Sequence, residues 1–279
     1  AFAEDPVRVL RVARFAARFG FNVAKETLGL MRQMTRSGEV DALVAERVWQ
    51  ELAKGLMGAK PSRMFEVLRQ SGALNKILPE VDRLFGVPQP REQHPEIDTG
   101  THIMLVIDYA ASKNYSLPVR FAALTHDLGK GMTPPSQWPR HPGHETKSAE
   151  LVKALCKRIR VPAACRDLAL LAAKYHGEAQ RALELKPATL ISLLQALDAF
   201  RKPRRFAEFL EVCGCDFHGR PGFANKPFPQ AKYLQGALRA AQSVNAGAIA
   251  RRVRQPGQIA AKVRAARIAA VKNRLKHAV

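Results

Sequence analysis

The stretch Val119-Arg120-Phe121-Ala122-Ala123-Leu124-Thr125-His126-Asp127-Leu128-Gly129-Lys130-Gly131 sets an apolar helix directly against a His-Asp pair. The pair has company on both sides. His102 lies on the preceding helix, 24 residues upstream. His144 follows in Pro142-Gly143-His144-Glu145, at the start of the next helix. His176 closes Ala173-Lys174-Tyr175-His176 at the end of a later helix, and Asp198 sits in Leu197-Asp198-Ala199. Neutral imidazoles and carboxylates suit a divalent transition metal. Five or six of them, brought to one point from separate helices, make a mono- or dinuclear site. Taken singly, each histidine reads as a helix-end or surface residue. Taken together, with Gly-Lys after the His-Asp pair and Gly before His144, they point to a metal site. Lys130 can add positive charge near a phosphate. His141 is a near neighbour of the series, and His94 and His218 lie outside it.

Working outward, almost every segment has a helical period. Residues 6–19 are apolar at Leu10, Ala13 and Ala17, with Arg8, Arg11, Arg14 and Arg18 on another arc. Further helices are predicted at 24–36, 45–57, 61–71, 99–112, 117–127, 145–159, 162–175, 187–200, 203–214, 229–242, 246–251 and 256–277. No alternating strand pattern stands out, so the fold class is all-α, a multi-helix protein. Prolines 79, 88, 90 and 95 mark an irregular stretch near 78–98, the first candidate domain boundary. A second falls near 217–228. The resulting division is 1–78, 79–216 and 217–279.

Lys plus Arg number 45 against 24 Asp plus Glu, a net charge of +21. A field of that sign attracts polyanions. Nucleic acid is the first candidate partner and an anionic membrane surface the second. No apolar run reaches the roughly 18 residues of a membrane span, and no signal peptide is visible. Cys156, Cys165, Cys213 and Cys215 form no CxxC pair and fit reduced thiols of a cytoplasmic protein. The chain opens within a pattern, at Phe2-Ala3-Glu4-Asp5-Pro6, without an initiator Met, and reads as a fragment of a longer protein.

That opening carries its own signal. Pro6 suits a first helical turn, and Asp5 can cap it. Arginines at 8, 11, 14 and 18 share one arc and repel one another, so an anionic ligand or carboxylate neighbours must compensate.

Two resemblances follow from these residues. The His102, His126-Asp127, Gly143-His144, His176, Asp198 series resembles the HD phosphohydrolase superfamily over about residues 98–200. That likeness implies metal-assisted phosphoester hydrolysis, with His126, Asp127 and Lys130 catalytic. It implies His102, His126, Asp127, His144, His176 and Asp198 as metal ligands. The run Glu4-Asp5-Pro6-Val7-Arg8 looks like the EDxxR motif of bacterial class II CCA-adding enzymes, the tRNA nucleotidyltransferases. It is followed by a helix similar to their RVLRxxRFAxRFGF, and Glu46-Arg47-Val48-Trp49-Gln50-Glu51-Leu52 resembles their ERxxxEL. Phe85-Gly86-Val87-Pro88, the run His94 to His102, Thr133-Pro134-Pro135 and Trp138-Pro139-Arg140 look like the multifunctional subgroup that carries an HD domain.

The second resemblance implies that residues 1–78 form nucleotide-template and neck helices, 79–216 an HD domain, and 217–279 a basic helical tRNA-binding region. It implies tRNA as partner and CTP and ATP as substrates. Asp5 and Arg8 would read the incoming base, and Arg11 and Arg14 would hold phosphates or template carboxylates. Glu46 and Arg47 would brace the template helix. A divalent metal (Ni, Co, Mn or Mg) is implied at the HD site, Mg for nucleotidyl transfer, and a homodimer is a further possibility. The Mg-binding carboxylates of that family precede EDxxR and are absent from these residues, so this chain by itself is expected to support only hydrolysis: 2′,3′-cyclic phosphodiesterase, 2′-nucleotidase and phosphatase. The subgroup carries an acidic residue after the histidine matched by His176, where this chain has Gly177. Two other readings stay open: a non-enzymatic tRNA-binding module with a vestigial HD pocket, and a stand-alone HD nucleotide phosphohydrolase.

Overall fold

The computed structural model describes residues 5–276. The Glu4 of the EDxxR-like motif lies outside the described residues. The helices, in chain order, are α1 (Val7–Phe19), α2 (Lys25–Arg36), α3 (Ala45–Leu56), α4 (Ser62–Gln70), α5 (Ala73–Ile77), α6 (Pro79–Asp82), α7 (Thr99–Ser112) and α8 (Leu117–Thr125). They continue with α9 (His144–Arg158), α10 (Ala163–Gln180), α11 (Pro187–Ala196), α12 (Pro203–His218), α13 (Pro229–Gln242), α14 (Ala246–Arg252) and α15 (Ile259–Lys276). Among the described residues the strand content is one isolated bridge, Pro88 to Asp98. The fold is all-α, as the periodicity predicts.

The chain forms two compact units. The first comprises residues 1–176 and 211–226, the second 177–210 and 227–279. Two of the three crossings fall inside the spans of α10 and α12, where helical periodicity runs on without a break, and the third lies between α12 and α13.

In the first unit α1 packs on α3 and α4. Its buried side chains are Val7, Val9, Leu10, Ala13, Ala16 and Ala17. These recur every three or four residues, which is one face of a 3.6-residue helix. The helix α8 is different, because every residue from Val119 to Thr125 is buried. A helix apolar all round belongs at the centre of a bundle. Its one charge, Arg120, is satisfied by the carbonyls of Tyr115, Leu56 and Gly58. Trp49 of α3 meets Phe121 of α8 edge-to-face at 5.4 Å. Thus the segment that ends in His126-Asp127 is held from all sides.

In the second unit α15 packs on α13 and α11. Two of the arginines on α15 are engaged within the unit. Arg267 lies over the Phe200 ring at 4.1 Å, and Arg264 donates to Gln195, Ser192 and the Ala188 carbonyl. Arg251, Arg252, Arg254, Lys262 and Lys272 are exposed. Among the described residues no helix is long and apolar enough to cross a membrane. All four cysteines are buried.

Several helices differ from their predicted spans, among them α11, which ends at Ala196 rather than 200, and α15, which begins at Ile259 rather than 256. α8 ends at Thr125, because the chain turns into the 3-10 segment Leu128–Met132. α10 continues to Gln180 and α12 to His218, four residues beyond the expected 214.

Candidate metal centre

Each ligand candidate is set by a local device. Asp98 caps α7, accepting from Thr101 N at 2.7 Å, and so places His102 on its first turn. His126 terminates the buried α8. Gly143, with φ of +72°, turns the chain into α9, whose first residue is His144. His176 lies on α10, a turn before its end.

These side chains converge. Asp127 Oδ1 is 3.2 Å from His144 Nε2 and 3.3 Å from His176 Nε2. Asp127 Oδ2 is 3.3 Å from His126 Nε2. A second carboxylate joins them: Asp216 Oδ1, on α12, is 3.1 Å from His102 Nε2 and 4.0 Å from His126 Nε2. The donor atoms form four overlapping triads, each within 4.8 Å: His94, Glu96 and His102; His102, His126 and Asp127; His126, His176 and Asp216; Asp127, His144 and His176.

The tautomers follow from the neighbours. Nδ1 of His126, His144 and His176 lies 2.9 Å from the carbonyls of Ala123, His141 and Ala172 respectively. A carbonyl only accepts, so each Nδ1 donates its proton, and in the neutral ring Nε2 keeps a lone pair facing the cluster. Such backbone anchoring is the usual outer support of a metal-ligating histidine. Nε2 of His126, Nε2 of His144 and Oδ1 of Asp127 are buried and without hydrogen-bond partners. Buried polar atoms are ordinarily paired. Three orphaned electron-pair donors aimed at one point fit a divalent cation.

The electrostatics agree. Burial would raise the Asp127 pKa, but Lys130 and His126 hold it well below the ordinary carboxylate value. Burial likewise opposes ionisation of Asp216, and Arg220 and His102 overcome it. Burial would lower the His102 pKa, but Asp216 and Glu96 raise it. Both carboxylates are thus anions inside the protein.

Lys130 is buried, with its ammonium 2.7 Å from Asp127 Oδ2 and 2.6 Å from Gln89 Oε1. It is a close partner of Asp127.

Asp198 is in none of these triads. It belongs to the second unit, in left-handed backbone (φ of +54°), where Arg201 and Arg205 take its carboxylate at 2.7 and 3.6 Å. Asp216, which the sequence did not single out, is the carboxylate that stands beside His102 and His126. A signal for it exists: Phe209, Cys213 and Asp216 continue one buried stripe of α12, and a carboxylate on such a stripe needs a partner.

Glu96 was also missed. Its Oε1 lies 2.7 Å from His102 Nδ1, though not in hydrogen-bond alignment, and 3.1 Å from His94 Nδ1. His94, left outside the sequence pattern, therefore joins the centre's outer support. Its pKa is lowered to about 4, chiefly by burial. His141 is likewise buried and fixed, between Thr133 Oγ1 and the Pro88 carbonyl. His218 stacks on Tyr109.

At the N-terminal helix, Asp5 accepts from Val7 N at 3.1 Å and pairs with Arg47 at 2.9 Å. The Val7 bond leads the causes that lower its pKa. Arg14 meets the buried Glu51 at 2.5 Å. Glu46 instead pairs with Arg160. Arg11 and Arg18 are exposed, and Arg8 is half-buried.

A buried His/Asp cluster carried by separate helices of an all-α protein defines the HD class, and residues 99–201 match the HD domain family model. Residues 20–85 match the model described as the probable RNA and SrmB-binding site of polymerase A. The chain is 63% identical over 283 residues to the multifunctional CCA protein of Nitrosospira multiformis, covering 99% of this chain and 68% of that protein. It is 62% identical over 285 residues to the one from Nitrosomonas eutropha, covering 99% and 69%. It is 62% identical over 282 residues to the one from a Janthinobacterium species, covering 99% and 68%. The chain belongs to the multifunctional CCA protein family.

Proposed function

We propose that this chain is the metal-dependent phosphohydrolase and RNA-holding portion of a CCA-adding tRNA nucleotidyltransferase. The observation that carries the hydrolase reading is the set of orphaned donors, Nε2 of His126 and His144 with Oδ1 of Asp127. His102, His126, His144, His176, Asp127 and Asp216 would hold the metal. When bound, a divalent ion supplies Lewis acidity toward a phosphoryl oxygen and lowers the pKa of water.

The chain's own residues do the rest. The carbonyls of Ala123, His141 and Ala172 keep three imidazoles turned inward. Lys130 and Arg220 balance the two buried carboxylates, so a phosphoester is not met by uncompensated negative charge. RNA ends and nucleotides carrying 2′,3′-cyclic or terminal phosphates are the proposed substrates.

The RNA side rests on the net charge of +21, the polymerase-A-type RNA-binding match and the CCA-protein relatives. Phosphate contacts from the exposed cations give affinity without sequence readout, which suits a partner common to all tRNAs. Asp5 and Arg8 are proposed to read the base of CTP or ATP. An aspartate accepts from an exocyclic amine and an arginine donates to ring acceptors.

The test is hydrolysis of 2′,3′-cyclic AMP by the purified chain after chelation and after return of Ni²⁺, Co²⁺, Mn²⁺ or Mg²⁺. Loss and rescue are expected. Turnover indifferent to chelation, or unchanged in His126→Ala and Asp127→Ala, refutes the hydrolase reading.

A further inference from the structure

The C-terminal end of α1 carries an aromatic ladder that the metal centre does not use. Phe15 and Phe19 are nearly parallel, with ring centroids 5.8 Å apart and planes 18° apart. Phe19 and Phe21 repeat that arrangement at 6.4 Å and 16°. Large aromatic side chains are normally hidden, yet Phe19 is 62% exposed and Phe21 43%.

The ladder is built rather than incidental. Gly20 ends α1 with φ of +69°, a conformation that costs a residue with a Cβ. Beyond that turn Phe21 lies beside Phe19. Arg63 tethers the segment after α1, donating to the Phe21 carbonyl at 3.4 Å and to Asn22 Oδ1 at 2.6 Å.

Cations cover the same rings. The Arg14 guanidinium carbon is 4.1 Å from the Phe15 centroid, and that of Arg18 is 5.1 Å from the Phe19 centroid. Arg11 and Arg18 are exposed on the same helix. Aromatic rings interleaved with arginines are how proteins hold unpaired nucleic-acid strands: bases stack on the rings and phosphates meet the cations. A purely apolar protein partner would gain nothing from that charge.

We propose that Phe19 and Phe21, with Arg11 and Arg18, form a stacking platform for unpaired bases of RNA. The proposal rests on the RNA-binding reading and deepens it. The platform takes single-stranded nucleotides, and it discriminates by ring stacking rather than by base identity.

The test compares the full chain with F19L, F21L and F19W. These sites are exposed, so folding is preserved, and Leu keeps apolar bulk while removing the ring. The ligands are a short unstructured RNA strand, an abasic strand with the same phosphates, an RNA duplex of equal charge, and tRNA. The parent is expected to prefer the base-bearing strand to the abasic one by about tenfold or more. F19L and F21L should each lose most of that preference with duplex binding unchanged, and F19W should keep it. Equal binding of the base-bearing strand by the parent and both Leu variants overturns the platform, as does a Leu-induced change in oligomeric state without any change in RNA affinity. If the parent binds neither tRNA nor any strand, the RNA-binding reading itself fails along with the platform.

Discussion

Nε2 of His144 and Oδ1 of Asp127 stand 3.2 Å apart, and each is buried without a hydrogen-bond partner. Desolvating two acceptors that face each other costs free energy unless something electrophilic lies between them. A divalent cation is therefore expected to bind the folded chain and stabilise it. At a hundred times its Kd it should add about 2.7 kcal/mol, raising Tm by several degrees. Scanning calorimetry with and without Mn²⁺ or Ni²⁺ checks this. The shift should vanish in Asp127→Asn and His144→Ala, and a shift that persists in both removes these residues from the site.

Asp216 and Asp198 should separate cleanly. Asp216 Oδ1 approaches two imidazoles of the cluster, whereas Asp198 is neutralised by Arg201 and Arg205 in the other unit. Asp216→Asn is expected to weaken metal binding at least tenfold. Asp198→Asn should leave it unchanged. Titration calorimetry of both variants decides which carboxylate serves.

Glu96 touches His102 and His94 but none of the other cluster members in the triads. A carboxylate behind a ligating imidazole orients the ring and raises its basicity. Glu96→Gln is expected to reduce metal affinity roughly 10- to 100-fold. The ligand-field spectrum of the Co²⁺-loaded protein should change with it, and an unaltered spectrum and affinity would reduce Glu96 to a packing role.

His94 supplies a pH signature. Its pKa lies at about 4, lowered chiefly by burial, so the folded chain takes this proton later than the unfolded chain does. Its contribution to stability is therefore fully present above its unfolded pKa of about 6.5 and declines as pH falls toward 4. His102, whose pKa is raised, works in the opposite sense. The check is consequently residue-resolved: the His94 imidazole in the metal-free protein should titrate near 4 by NMR, and a midpoint near 6.5 contradicts its burial.

Gly129, in the Leu-Gly-Lys that follows the His-Asp pair, lies against α9. A Cβ there would come 2.1 Å from the His144 carbonyl oxygen and 2.6 Å from Ser148 N. Those are backbone atoms and cannot swing aside. Gly129→Ala should destabilise the protein by about 1–3 kcal/mol and lower metal affinity by displacing His144. Urea unfolding and metal titration measure the two effects.

The all-α fold and most helix positions could be read from periodicity, because a helix face repeats every 3.6 residues and is a local property. The glycines at 129 and 143 and the histidines at 102, 126, 144 and 176 were legible for a related reason. Each sits at or beside a helix end or turn that marks itself in the sequence. Which carboxylates complete the centre was not legible. Asp216 meets His102 across 114 residues of chain, and only long-range packing sets that distance. The same packing turned Glu96 and His94 toward the cluster and gave Asp198 to a pair of arginines. The sequence by itself thus determined the helices and the imidazoles they carry. The tertiary structure alone decided which anions those imidazoles face, since contacts between distant helices leave no period for a sequence to show.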